Sequence, residues 1–261
     1  MGEAKRKRVL KQDTYNQAIK GVPMPPQIMA LPVSETGYPV PWFVAWFEEA
    51  KGGVKREVRR GTGRPDFRLI GKGRVERCIR EGLCWVCGGS LRGTEAAAVI
   101  GPMCTINRIS SEPPSHLSCA RYSAKACPFL TRPRMRRNLS DLPVEGTSAP
   151  GFAVDRNPGV AAIWVTNRVA YDRGTGLFHL GEPERIEWTC QGREAVLEEI
   201  LESIRSGVIL LREACDQEET PERRAEAHAL LSSHVDLAMR LVLGQGASRH
   251  DAPASLAARE A

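Results

Sequence analysis

Long apolar runs are missing from this chain. None, Trp42 to Phe47 included, exceeds six residues, whereas a membrane-crossing helix needs roughly 20, so no membrane association is expected. Phosphate-cradling glycine motifs are missing too. Neither GxxxxGK[ST] nor a strand-linked GxGxxG occurs, and the glycines of GTGRP and GKGR read as turns. Histidine is scarce, with 5 in 261 residues and none before His116. That absence weighs against nuclease chemistry of the HNH kind, which places a histidine base on the hairpin of a zinc finger. The basic start MGEAKRKRVLKQ has no apolar segment behind it, and Arg6 stands where a myristoylation signal needs Ser or Thr. A cytoplasmic location is the resulting expectation. With 42% apolar and 26% charged residues, the composition excludes collagen, mucin and coiled-coil classes. The length allows one large or two small domains with a real core.

Cysteine, by contrast, is plentiful and clustered. In a reducing compartment the 8 cysteines are expected as thiols, so their spacing matters more than their number. Cys84, Cys87, Cys104, His116, Cys119 and Cys127 fall within one stretch of 44 residues, while Cys78, Cys190 and Cys215 lie outside it. A structural zinc ion takes four tetrahedral thiolate or imidazole ligands, and a CxxC turn supplies two from one loop. Cys84-Trp-Val-Cys87-Gly88-Gly89 has that form, and His116-Leu-Ser-Cys119 offers a second pair. EAAAVIGPMCTINRI between the pairs suggests a hairpin around Gly101-Pro102, and SEPPS a helix start. His116 and Cys119 would then face the same way from the first turns of that helix. Knuckle, hairpin and helix in this order is the layout of treble-clef modules. The preferred ligands are Cys84, Cys87, His116 and Cys119, with Zn2+ as the ion. Cys104 on the second hairpin strand could replace His116. Cys127 lies eight residues past Cys119, about 12 Å along a helix, and joins only if the helix breaks at Ala126-Cys127-Pro128. An iron-sulfur cluster and simple buried thiols are the remaining alternatives.

Charge is segregated along the chain. Residues 51 to 140 hold 19 basic and 6 acidic groups, and residues 141 to 261 hold 12 and 20, so the net charge of +6 conceals a strongly basic middle. A basic surface draws polyanions, and DNA or RNA is the first partner to consider. Lys55, Arg56, Arg59, Arg60, Arg132, Arg134, Arg136 and Arg137 are the candidate phosphate contacts. The competing reading is that the basic and acidic stretches neutralise each other.

The remaining organisation follows from local pattern. Residues 1–20 suggest a disordered basic arm, and 21–77 a Pro-rich extended segment with packed aromatics, then a ribbon of two strands ending in Asp66 to Ile70. The zinc module occupies 78–131 and a linker 132–150. Four strands in 151–191 (Val160 to Thr166, Arg168 to Tyr171, Leu177 to Leu180, Arg185 to Cys190) suggest an antiparallel meander. Apolar positions at helical spacing over 192–243 predict a helical hairpin opened in its second half by Thr220-Pro221. From Gly244 to residue 261 the composition suggests a disordered tail. A hydrolase would need Asp66, Glu76 or a free histidine beside the metal, and Cys104 as a nucleophile has no nameable base.

At Ile100-Gly-Pro-Met-Cys104-Thr-Ile-Asn107-Arg108, Glu112-Pro-Pro-Ser-His116, Cys119-Ala-Arg-Tyr122 and Cys127-Pro-Phe-Leu130 the chain resembles a family of uncharacterised actinobacterial and actinophage proteins. The likeness extends over most of residues 22 to 215 and includes MPPQIMALPVSETGYPVPWFVAW. It implies no activity, and its pattern includes Cys104 and Cys127 beside the CxxC and HxxC pairs. The expectation is an α+β protein: a treble-clef-like zinc module, a small antiparallel sheet and a C-terminal helical hairpin. The expected role is nucleic-acid binding. The alternative is a protein-interaction or regulatory adaptor that docks a partner through the C-terminal helices.

Overall fold

A computed structural model describes residues 15–50, 53–143, 148–150 and 155–250. A 3-10 turn (Gln17–Ile19) and the one-turn helix α1 (Pro26–Met29) precede strands β1 (Val44–Glu49), β2 (Lys55–Val58) and β3 (Arg64–Ile70), which lead to helix α2 (Arg74–Glu81). Then come β4 (Ala96–Ile100), α3 (Pro102–Asn107), β5 (Ile109–Ser110), β6 (Ser115–His116), α4 (Leu117–Ala126) and α5 (Pro128–Thr131). The last third holds β7 (Val160–Val165), β8 (Val169–Asp172), β9 (Leu177–Leu180), β10 (Arg185–Cys190) and β11 (Arg193–Glu194), followed by α6 (Leu197–Asp216) and α7 (Pro221–His250). The protein is thus of mixed α+β type, with small antiparallel sheets and two helices at the C-terminal end.

The central sheet has the order β11-β10-β7-β4-β6, and all its pairings are antiparallel. Every residue of Val160–Val165 in its middle strand is buried, which requires a cover on both faces. Val160, Ala162 and Trp164 point to one side with Trp188 and Ile186, against Ile106 of α3, Ile200 and Ile204 of α6, and Leu231, Ala238 and Val242 of α7. Ile163 and Val165 point to the other, against Leu117, Ala120 and Ala124 of α4. Alternate residues of one strand therefore serve two cores, as the pleat dictates. Gly207, in the middle of α6, makes room for α3: a Cβ there would lie 3.1 Å from the Met103 nitrogen and from Pro102 Cβ.

Several expectations are corrected. Gly101-Pro102 begins helix α3 and not a hairpin turn, because proline at the first helical position has no N–H to lose. The hairpin is instead β4 with β6, through Ala96↔His116 and Ala97↔Ser115, and α3 and β5 fill its connection. The stretch SEPPS is not helical, and α4 starts only at Leu117. The strands of the expected ribbon do not pair with each other, since β1 lies between them in the order β2-β1-β3. The expected meander is split: β7 and β10 belong to the central sheet, and β8 and β9 form a second sheet with β5. Helix α7 continues to His250, past the expected start of the tail at Gly244. Tyr15 and Ile19, assigned to the arm, are buried, since both carry enough apolar surface to pack. Residues 1–14, 151–154 and 251–261 of the expected arm, meander and tail lie outside the described residues.

Trp164 is fully buried and its indole Nε1 donates to the Gly181 carbonyl at 3.0 Å. Trp164→Ala leaves a cavity between the sheet and the helical pair, and urea unfolding is expected to show a loss of about 3–5 kcal/mol.

Candidate metal centre

The CxxC turn is built by backbone. The Cys84 N–H donates to the Gly89 carbonyl at 2.7 Å, the Gly88 N–H to the Cys84 carbonyl at 2.8 Å, and a bridge between Leu83 and Ser90 closes the loop. Gly88 has φ +74, and a Cβ on it would lie 2.4 Å from Trp42 Cδ1. Glycine is required there twice, by backbone conformation and by the indole. The second pair arrives from β6 and α4. His116 is the residue before the helix and Cys119 lies in its first turn, while the Trp85 N–H donates to the Pro114 carbonyl at 3.1 Å and ties this strand to the turn.

Together these elements bring one donor atom each of Cys84, Cys87, His116 and Cys119 within 4.8 Å of one another. His116 Nδ1 stands 3.3 Å from Cys87 Sγ and 3.8 Å from Cys119 Sγ. Bonds of the usual length to a tetrahedral zinc ion would set S···N edges at about 3.5 Å, and the two S···N distances lie on either side of that value. The imidazole is prepared for such an ion. Its Nε2 lies 2.8 Å from the Ser90 carbonyl oxygen, which can only accept, so the proton belongs on Nε2 and the Nδ1 lone pair faces the sulfurs. Backbone donors support the thiolates: Cys87 and His116 N–H groups reach Cys84 Sγ at 3.5 and 3.3 Å, and the Gly89 N–H reaches Cys87 Sγ at 3.4 Å. Hydrogen bonds from the Cys119 and Cys87 thiols push Cys84 below the ordinary thiol range, while hydrogen bonds to Cys84 and Cys87, then burial, push Cys119 above it. A cation at this point would interact with all three sulfurs.

The other cysteines stay apart from this group. Cys104 is inside α3, and burial, with some help from Glu112, pushes its thiol up to about 11. At Cys127 the helix does break, since this residue ends α4 and begins α5, yet burial raises its thiol as well and it is not among the four converging ligands. Asp66 is committed to Arg68, with Oδ1–Nε 2.8 Å and Oδ2–Nη2 2.6 Å, and Glu76 is exposed in the first turn of α2. The Ser90 carbonyl escapes sequence reasoning because any residue could supply it.

The basic candidates differ in what they can offer. Arg56, Arg59, Arg132, Arg134 and Arg136 are exposed. Lys55 Nζ reaches the Asp141 carbonyl at 3.5 Å, Arg60 Nη2 donates to the Val40 carbonyl at 3.2 Å, and Arg137 lies over the Phe129 ring at 5.6 Å. Segment 135–137 is pinned in extended form beside 155–157, through Arg137 N–H to Asp155 O at 2.6 Å and Asn157 N–H to Met135 O at 2.9 Å. Arg136 lies in this segment, and Arg134 in the turn just before it, which the Met135 N–H closes on the Arg132 carbonyl at 2.9 Å.

Comparison with protein-family models, with curated proteins and with solved structures returned no match. Among the described residues no helix is long and apolar enough to cross a membrane.

Elemental analysis is expected to find about one ion per chain, lost in Cys84→Ser and Cys119→Ser and retained in Cys104→Ser and Cys127→Ser. Acidification should release it, because protons compete for the sulfurs; the stability it contributes is present at neutral pH and lost as pH falls. Gly88→Ala should weaken metal retention although it touches no ligand side chain.

Proposed function

We propose that the ion is Zn2+ in a structural, treble-clef-like site, and that the protein binds nucleic acid. Three thiolates and one imidazole in a closed group leave no open position for a substrate, which suits a structural site. The order of turn, β4/β6 hairpin and α4 follows the treble-clef layout, with α3 and β5 inserted in the hairpin. Binding energy of such an ion is folding energy, on the order of 10 kcal/mol at neutral pH.

One observation carries the nucleic-acid reading. The chain leaving Arg137 lies against the sheet that bears the first basic cluster: Arg68 Nη1 donates to the Asn138 and Ser140 carbonyls at 3.0 and 2.8 Å, and Leu142 packs with Ala45, Phe47 and Leu69. The chain that follows Arg134 and Arg136 is thereby fastened to the three-stranded sheet whose β2 carries Arg56, which supports reading both clusters as contacts for one polyanion. The resemblance to actinobacterial and actinophage proteins is consistent with this reading and adds no activity to it. A docking role for the C-terminal helices is favoured by Ile209 and Leu230, both 58% exposed.

In anisotropy titrations with labelled DNA and RNA, Arg134→Ala/Arg136→Ala should weaken binding and lower the slope of log K against log salt by about 2. Binding unchanged in affinity and slope would sink the nucleic-acid reading and leave the adaptor role.

A further inference from the structure

Beside the metal-binding turn, two guanidinium groups gather on the segment from Val40 to Trp42. Arg74 Cζ stands 4.4 Å from the centre of the Trp42 ring, and Arg60 donates from Nη2 to the Val40 carbonyl. Arg77 also approaches the ring, at 5.4 Å, but its Nε and Nη2 are engaged by Glu81 at 3.2 and 3.0 Å. Among the described residues the Arg74 guanidinium has no hydrogen bond or ion pair, and Arg60 Nε is buried without a partner. Glu57 partly offsets the charge of Arg74, while its Oε1 accepts from the Lys72 N–H at 2.9 Å. Burial, then the charge of Arg74, depresses the pKa of Arg60; burial, then Arg77, depresses that of Arg74.

Two half-buried cations with unused donors are a costly arrangement for a protein alone. A buried donor left unsatisfied costs about 1–3 kcal/mol, and like charges oppose each other's ionisation. One anion removes both penalties. Guanidinium forks match the oxygens of a phosphate group, and stacking on an indole fixes the plane of the fork. Trp42 is itself buried, so it offers no face to a nucleobase and the recognition is of the phosphate.

We propose that Arg60 and Arg74, seated on Val40 and Trp42, form a binding site for a phosphate group. Its assignment to a backbone phosphodiester of DNA or RNA rests on the nucleic-acid reading above; the site itself does not, and a small phosphomonoester would satisfy the same donors.

The test titrates inorganic phosphate by calorimetry against matched chloride, and labelled oligonucleotides by anisotropy, into wild type, Arg74→Ala, Arg74→Lys, Arg60→Lys and Arg134→Ala/Arg136→Ala. Arg74→Lys keeps the charge and the alkyl packing, so it reports on the fork even where the alanine variant fails to fold. Phosphate affinity is expected to fall about tenfold in the Arg74 and Arg60 variants, a usual loss for one charged hydrogen-bonding group, and to be unchanged in Arg134→Ala/Arg136→Ala. Absence of saturable phosphate binding by wild type, or wild-type affinity in a folded Arg74→Lys, would overturn the site whatever the oligonucleotides do. Phosphate binding that depends on Arg74, without oligonucleotide binding by wild type, would uphold the site for a small phosphate and overturn the nucleic-acid reading.

Discussion

Three sulfurs and an imidazole nitrogen are held within 4.8 Å of one another, a group that could hold a metal ion. That convergence organises the whole N-terminal half. Cys84 and Cys119 are members of a packed cluster with Tyr15, Ile19, Ile28, Leu31 and Tyr122, so residues distant in sequence are gathered around the ligands themselves. Trp42 closes over Gly88, and the Trp42 N–H donates to the Val86 carbonyl at 2.7 Å. Phe43 stacks on Trp85 with ring centres 4.7 Å apart. The three-stranded sheet of β1, β2 and β3 is thus attached to the turn between two ligands, and assembly of the donors and docking of that sheet belong to one equilibrium.

Helix α4 joins this cluster to the central sheet. Cys119, Tyr122 and Ala126 face the ligand cluster, whereas Leu117, Ala120 and Ala124 face Ile163 and Val165. Spacings of three and four residues put the two sets on different sides of one helix, and alanines at 120 and 124 let the helix lie close to the strand. The opposite face of the sheet depends on α6 and α7 and on Trp164, without a residue of the ligand group. The ligand cluster and the Ile163–Val165 face of the sheet therefore meet at helix α4, and the opposite face has its own apolar cover.

What could be read from sequence follows the range of the forces involved. The ligand pairs, the late strands and the two long helices were legible because each is set by residues within a few positions: a CxxC followed by two glycines, alternation bounded by turn residues, an apolar stripe behind Thr220-Pro221. Gly101-Pro102 was ambiguous because the same dipeptide opens a turn or a helix, and burial of Pro102 and Ile106 decides for the helix. Strand partners were legible for β8 and β9, which the turn DRGTG joins, and not where the partner is distant in sequence. Leu177–Leu180 and Arg185–Cys190 are neighbours in sequence yet lie in different sheets, since β9 finds Ile109 and Ser110 and β10 finds β7. Arg74 gave no signal either, because its meeting with Trp42 depends on the docking of a sheet on the turn.

The alternation of basic and acidic stretches acquires a geometry in the folded chain. Some of the basic stretch is neutralised by the acidic one: Arg108 pairs with Glu182 at 2.6 Å, and Arg121 with Glu187. Arg185 of the later stretch returns the pairing to Glu95, at 2.7 Å. These pairs lie on and around the central sheet, where they fasten α4 and the β9–β10 connection. Among the described residues Arg56, Arg59, Arg132, Arg134 and Arg136 form no such pair. Internal neutralisation therefore explains the arginines of the sheet and leaves these five exposed to solvent. Exposed pairs contribute little stability when made, so a fold gains little by making them, and arginines left single direct their field into solvent.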